Sequence, residues 1–447
     1  MTDRRWGALA PLRHRDYRFL TVSLMASMAS AGILVVALVW QVVALGGSAG
    51  DLGVVTGAAA GGMLATALFG GVLADRVAQR HILLCTETVK FMALAWVAVL
   101  ALSGGVQIWH LAVAAAVGGA MDGLYYPAYS ALLPIVLPAA DLLPANGLEG
   151  VLRQMLVNAG GPALAGVVVA AFSPAAALAV AAGATALAAL VLLPVAPRPV
   201  GVLHGQVASA PTADVERDAA PVRAVLTDLR EGFAYLRATP WLWATLGFAS
   251  VLVLLIMGPM EVLIPFALKD HAGGGPGEHA LVLAAFGVGG ALASFAVAAR
   301  PLPRRYLTWM VCAWGFGTLP FAVIGVADRV WVFVVAAGLV GAAFEGATVI
   351  WGTILQRRVP PELLGRVSSL DFFVSLLFMP VSMAIAAPVS HVIGLTATFA
   401  VAGLAPAVIA VLAIVVARLR ADEIAHPLTA APEGAPAATT GTTLGAA

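Results

Sequence analysis

The sequence predicts an all-α membrane protein with twelve transmembrane helices in two pseudo-symmetric six-helix bundles. Three observations predict it: an apolar composition, the recurrence of span-length apolar runs, and a lopsided distribution of arginine. Of 447 residues, 61% are hydrophobic and 11% charged, and the mean hydropathy is +0.97. Too little polar surface remains for a water-soluble globule, so the solvent is lipid.

Each element follows from the runs. Continuous apolar stretches of about 20 residues, enough to cross roughly 30 Å of hydrocarbon, fall at 19–45, 52–74, 82–103, 108–134, 147–172, 175–195, 241–268, 279–299, 306–327, 330–356, 366–392 and 394–417. They are not alternating, which excludes a transmembrane barrel. Residues 1–196 thus form an N-terminal six-helix bundle, 197–239 a cytoplasmic linker ending in a surface helix, and 240–420 a C-terminal six-helix bundle. The Ala-, Pro-, Thr- and Gly-rich segment 421–447 reads as a disordered tail. The basic N-terminus lacks a small-residue cleavage pattern, so the first span is expected to stay in the mature protein.

Arginine sets the orientation, because short loops rich in it stay in the cytoplasm. Arg4, Arg5, Arg13, Arg15, Arg76, Arg80, Arg300, Arg304, Arg305, Arg357, Arg358, Arg366, Arg418 and Arg420 all sit at ends that an arrangement with both termini inside places in the cytoplasm, whereas Lys269 and Arg329 fall outside. The expected location is the cell (inner) membrane, multi-pass, with N- and C-termini cytoplasmic.

Several function classes drop out. A net charge of +1 with basic residues spread among loops gives no nucleic-acid face. Cys85 and Cys312 are far apart and lie within apolar runs, so they read as inert core residues rather than a disulfide or a metal site. Neither an HExxH pair nor a phosphate-binding loop occurs, and FGVGGAL near Phe286 lies within a span and lacks the third glycine of a dinucleotide site. No catalytic residue, cofactor or metal is expected, and an ion gradient is the economical source of energy.

The chain also repeats itself. VGGAMDG at Val117–Gly123 and VGAAFEG at Val340–Gly346 begin 223 residues apart, half the chain, and the same offset places Leu132 on Leu355 and Pro138 on Pro361. This is the mark of a duplicated six-helix unit. It puts Asp122 and Glu345 at equivalent positions near mid-span.

GGVLADRVAQRHILL, from Gly70 to Leu84, resembles the signature of the loop between spans two and three in the major facilitator superfamily, through Gly71, Leu73, Asp75, Arg76 and Arg80. Ala78 and Gln79 stand where that signature has a glycine and a basic residue. GGPALAG, with Gly161, Pro162 and Gly166, resembles the fifth-span antiporter motif, with Ala165 replacing one glycine. LRHRDYRFL at Leu12, PAYSALLP at Pro127, GPMEVLIPF at Gly258 and VPPELLGRVSSLD at Val359 resemble the drug:proton antiporter branch that exports macrolides, tetracyclines and siderophores. The resemblance covers nearly all of the first 420 residues and implies the major facilitator fold.

It also implies roles. Asp75, with Arg76, Arg80 and Arg366, would form a cytoplasmic gate in which Asp75 latches span two to residues 365–369 of span eleven; by composition alone the same charges equally anchor a short loop. Asp122 and Glu345 would face a central cavity built by spans one, four, seven and ten. Desolvation favours the neutral form of a carboxylate, so a carboxylate at such depth can carry a proton across. The alternative is a pair of hydrogen-bonded structural carboxylates. Glu261 is a third candidate, with Asp371 and Arg153 nearer the cytoplasm, and all three equally read as interhelical ties. Met121, Tyr125, Tyr126, Met257 and Phe344 would give the cavity an adaptable apolar wall. Glu87 and Lys90, one turn apart, read as a structural pair. The expected activity is proton-coupled efflux of amphipathic drug-like or natural-product small molecules by alternating access. The partners are substrate, protons and lipid bilayer, and the protein is expected to be a monomer. A siderophore, lipid or nutrient translocase of the same fold is the alternative within transport; a membrane-embedded enzyme or sensor is the alternative outside it.

Overall fold

Local sequence sets where the helices begin, turn and stop. A computed structural model describes residues 7–196, 233–360 and 373–428, with 367, 370 and 371. A 3₁₀ turn, Gly7–Arg13, leads into α1 (Arg15–Ala44). It is followed by α2 (Ala49–Arg76), α3 (Gln79–Leu102) and α4 (Ile108–Val136). Ser48 and Asp51 start α2 by mutual capping: the Ser48 N–H donates to Asp51 Oδ2 at 2.7 Å, and the Asp51 N–H donates to Ser48 Oγ at 3.3 Å.

The fifth rod is α5 (Ala139–Met155) and α6 (Gly161–Ala171), joined by a π-helical turn, Leu156–Gly160. Then comes α7 (Pro174–Leu192), capped by Ser173. The second half has the same device in its first rod: α8 (Pro240–Gly258), a π turn Pro259–Leu263, and α9 (Ile264–Ala272). Proline explains both turns. Pro162 has no N–H for the Asn158 carbonyl and Pro265 none for that of Glu261, so the local ladder slips to i→i−5 bonds: Gly161 donates to Leu156 O and Ile264 to Pro259 O.

The chain continues through α10 (Pro276–Ala298), α11 (Tyr306–Phe316) with the short α12 (Pro320–Ile324), α13 (Val330–Arg358), α14 (Met379–Ile393), α15 (Leu395–Val416) and α16 (Leu419–Ala425). No strand occurs among the described residues. Among the described residues, ten rods are long and apolar enough to cross a membrane. With α2 and α4, of 28 and 29 residues, the arrangement is compatible with twelve crossings. Much of the expected linker, and the first part of the expected eleventh span, lie outside the described residues.

One stretch departs from expectation. The segment from 421, read as tail, begins as helix: α16 docks on the second half because Glu423 is buried and accepts from the Leu307 and Thr308 N–H groups at 3.1 Å each. Those are open donors at the start of α11. Asp422 pairs with Arg358, whose guanidinium lies 4.5 Å from the Trp241 ring centroid. Cys85 also departs: it is exposed on the bundle surface, and Cys312 is half-buried.

Small residues let helices close, as they do where lipid offers no hydrophobic drive to associate. α2 meets α4 at Gly62, Gly119 and Gly123, where a Cβ on Gly123 would stand 2.6 Å from Met63 O. The second half repeats this between α10 and α13 at Gly289, Gly338 and Gly341. The halves touch along two seams, α2 with α14 and α6 with α10. Both seams are closed at the end of the bundle that carries the α1–α2 turn: a Cβ on Gly53 would lie 2.7 Å from Met383 O, and one on Gly166 3.0 Å from Ala280 Cβ.

Candidate transport site

Within the first half, α1, α2, α3 and α4 enclose a cavity of about 270 Å³, which Glu261, Met379 and Met383 of the second half also line. Its walls are mostly aliphatic: Leu34, Val35, Leu38, Leu52, Val55 and Leu94 are among them, and no aromatic side chain is. The polar exceptions that carry charge are Lys90, Asp122 and Glu261.

Lys90 organises that charge. Its Nζ lies 3.0 Å from Asp122 Oδ1 on α4 and 3.3 Å from Glu87 Oε1 one turn back on α3, and it donates to Ser27 Oγ of α1 at 3.1 Å. Ser27 in turn donates to Glu87 Oε1 at 2.7 Å. The Tyr125 ring centroid is 5.6 Å from Nζ. A lysine at the centre of a membrane helix costs roughly 3 kcal/mol, and two carboxylates with a hydroxyl offset that here. The carboxylates are not equivalent. Asp122 has half its side chain exposed to the cavity, whereas Glu87 is fully buried and its Oε2 has no hydrogen-bond partner.

The sequence-predicted residues divide accordingly. Asp122 and Glu261 line the cavity; Glu345, Met121, Tyr125, Tyr126, Met257 and Phe344 are not among its lining residues. Tyr125 lies buried behind Lys90 and stacks on Tyr129 at 6.2 Å. Met257 and Phe344 pack on the hydrophobic core instead. Glu345 faces α5, with Gln154 and Arg153 as its polar neighbours. It is held there by Gly290, where a Cβ would stand 2.6 Å from Glu345 Cγ. Arg153 itself pairs with Glu149 at 2.9 Å and lies 5.1 Å from the Tyr126 ring centroid, and Asn158 donates to Gln154 at 2.8 Å. The expectation that duplication brings Asp122 and Glu345 into one cavity is therefore not met in this conformation. α4 turns Asp122 toward α3, which supplies a lysine, while α13 turns Glu345 toward α5. Asp371, read as an interhelical tie, accepts from Trp351 Nε1 at 3.0 Å.

In the gate motif, Gly71, Asp75 and Arg76 form the last turns of α2. Arg80 donates to the carbonyls of Leu193 and Leu192 at 2.7 and 3.4 Å, tying α3 to the end of α7. Arg366 and the expected partner segment 365–369 fall outside the described residues. In the antiporter motif, Gly161 and Pro162 abut Gly32 of α1, and Gly166 abuts α10. The motif thus places α6 against both its own half and the other one.

Glu87, Lys90 and Ser27 were missed as site residues. The i, i+3 spacing shows that Glu87 and Lys90 share a face; no pattern in the sequence shows which spans that face meets.

A helical bundle of span-length rods, with Lys90, Asp122 and Glu261 lining a cavity shared between two halves, is built to pass a small molecule through a membrane: it is a polytopic transporter. The family profile of the Major Facilitator Superfamily matches residues 20–377, and the chain belongs to that superfamily. It is 28% identical over 409 residues to the multidrug efflux pump Tap of Mycolicibacterium fortuitum, covering 89% of this chain and 94% of the pump. To macrolide efflux protein A of Streptococcus pyogenes it is 21% identical over 382 residues, covering 84% and 90%. The crystal structure of nucleoside transporter NupG superposes with a TM-score of 0.67 at 12% identity, over 90% of this chain and 98% of that one. That likeness is one of fold. The chain is a multi-pass cell-membrane transporter of small molecules and not an enzyme.

Proposed function

We propose that this transporter exports amphipathic, cationic small molecules in exchange for protons, as a monomer with twelve spans and both termini in the cytoplasm. Two six-helix halves, 1–196 and 240–420, rock about the cavity. Asp122 carries the reading: it is a half-exposed carboxylate in a mostly aliphatic cavity that both halves line. A lipophilic cation finds there a counter-charge and an apolar wall together. Glu261, on the π turn across the cavity, is the second acidic contact. Glu345 serves the same exchange from the seam between α13 and α5. With the termini inside, the tight contacts at the α1–α2 end close the outer side, so this conformation opens inward. Asp75, Arg76 and Arg366 close the cytoplasmic side in the opposite conformation. The names of the relatives, multidrug and macrolide efflux pumps, support export and drug-like substrates.

The test is accumulation of a panel of lipophilic cations and antibiotics in cells expressing wild type, Asp122→Asn or Glu345→Gln, with and without a protonophore. The wild type is expected to lower accumulation, the protonophore to abolish this, and Asp122→Asn to remove it at normal membrane expression. Efflux that survives Asp122→Asn and Glu345→Gln alike overturns the carboxylate mechanism, and raised accumulation in the wild type identifies an importer.

A further inference from the structure

Ser27, Glu87, Lys90 and Asp122 join three helices around one ammonium group. Fully ionised, the two carboxylates and the lysine sum to one negative charge. Among the described residues, few other charges face the cluster. α7, which packs on α3, has no titratable residue, and those of α1 are confined to its first turn (Arg15, Asp16, Tyr17, Arg18). On α4 the titratable neighbour is Tyr125, with Tyr129 stacked beyond it and Glu149 acting on both. Across the cavity stands Glu261. A buried cluster with one surplus negative charge is best neutralised by one positive charge, and two positions exist to take it. The first is Glu87 Oε2, shielded from solvent and without a partner. The second is Asp122, open to the cavity.

We infer that this cluster is a single-charge exchange site in which Lys90 is the internal counter-ion. It holds either a proton on Glu87 or a substrate cation on Asp122, never both. The inference rests on the proton-coupled reading above and assigns its proton to a residue outside the cavity wall. With Glu87 protonated, Lys90 belongs to Asp122. A cation arriving at Asp122 displaces Lys90 toward Glu87, whose O–H bond breaks. The proton leaves to water, the electron pair stays on the carboxylate, and Lys90 remains an ammonium throughout. Ser27 Oγ, which touches both Nζ and Glu87 Oε1, positions the pair for the handover. The net charge of the site is zero before and after, so exchange does not strand an uncompensated charge in low dielectric. One proton is released for each monovalent cation bound.

The purified full-length protein reads this out with tetraphenylphosphonium, a permanent lipophilic monocation. Its binding is measured across a pH series, and proton release is followed by a pH indicator in weakly buffered detergent solution. For wild type, log affinity is expected to rise by about one per pH unit while Glu87 carries its proton, the signature of one proton lost per cation bound. Glu87→Gln mimics the protonated site: its affinity is low and flat with pH, and no proton is released. Lys90→Gln leaves two surplus negative charges, so proton and cation bind together. Binding persists, again with a flat pH profile and no release. Wild-type binding without proton release, or no binding, overturns the proton-coupled reading and this inference together. A slope of about one that persists in Glu87→Gln or in Lys90→Gln overturns the inference alone, leaving the exchanged proton on another carboxylate. Thermal unfolding shows that each variant is folded.

Discussion

Removing one partner of a buried ion pair costs more than the pair contributes, because the other charge stays behind. At a pH high enough to ionise Glu87, Lys90→Met leaves its charge buried opposite a thioether and is expected to lower stability by about 3–5 kcal/mol. Lys90→Met with Glu87→Gln recovers most of that loss, a non-additivity that thermal unfolding of the three variants measures. At the membrane surface, Asp141 presents the opposite case. Its carboxyl is held below the usual carboxylate range, first by the hydrogen bond from His14 Nε2 at 2.8 Å and then by Arg13 at 2.9 Å. A depressed value means that the contribution is complete above the ordinary value of 3.8 and is lost as pH falls through the lower folded value. Hydrogen exchange over residues 7–13 is therefore expected to stay slow down to that ordinary value and to quicken only in stronger acid. In Asp141→Asn it is fast at neutral pH as well. At this scale the sequence was legible for Asp122 and Glu261, because a carboxylate inside an apolar run is conspicuous. It was silent on Lys90 reaching Asp122 across 32 positions, since helical spacing reports neighbours on one rod and nothing about the facing rod.

Helix breaks are as informative as helices. Both π turns precede or contain a polar residue of interest, Asn158 in the first and Glu261 in the second, and both follow from prolines visible in the sequence. The motif around Pro162 was readable; that its glycines serve close packing was not. A Cβ on Gly161 would stand 2.8 Å from Gly32 Cα, backbone against backbone. Gly161→Ala is therefore expected to destabilise by about 1–3 kcal/mol through overpacking, although alanine ordinarily favours a helix over glycine. Thermal unfolding in detergent checks it. Glu423→Ala removes the acceptor for two open N–H groups of α11 and is expected to cost about 0.5–2 kcal/mol, as loss of a helix cap does. It also releases α16, which limited proteolysis detects. Composition hid this element: seven residues between an apolar span and an Ala-Pro tail carry no periodic signal, and their order comes from Arg358 and the start of α11.

At the scale of the whole molecule, the proposed rocking requires the two seams to open and close. Gly50 and Gly57 of α2 face Ala387 and Ala384 of α14, with a Cβ on either glycine 3.9 Å from the alanine Cβ. That separation suits a disulfide. Oxidised Gly50→Cys/Ala387→Cys, with Cys85 and Cys312 replaced, is expected to hold the α1–α2 end shut and stop transport, and reduction to restore it. Transport through the oxidised protein contradicts rocking about the cavity. The two-half architecture was legible because duplication leaves a readable trace, VGGAMDG against VGAAFEG, and both copies do lie where α4 and α13 cross a neighbour closely. The orientation of Asp122 and Glu345 into different surroundings was not legible, because a pseudo-symmetry axis relates backbones and not the side chains that each half has since acquired.

The most direct test of proton-driven cation transport uses proteoliposomes with an imposed pH gradient and tetraphenylphosphonium at equal concentration on both sides. The wild type is expected to accumulate the cation on the acidic side, a protonophore to collapse the gradient and abolish accumulation, and Asp122→Asn to accumulate none. Tetraphenylphosphonium that stays at equal concentration in wild-type vesicles while the gradient holds, or accumulation by Asp122→Asn equal to that of the wild type, would contradict proton-driven cation transport.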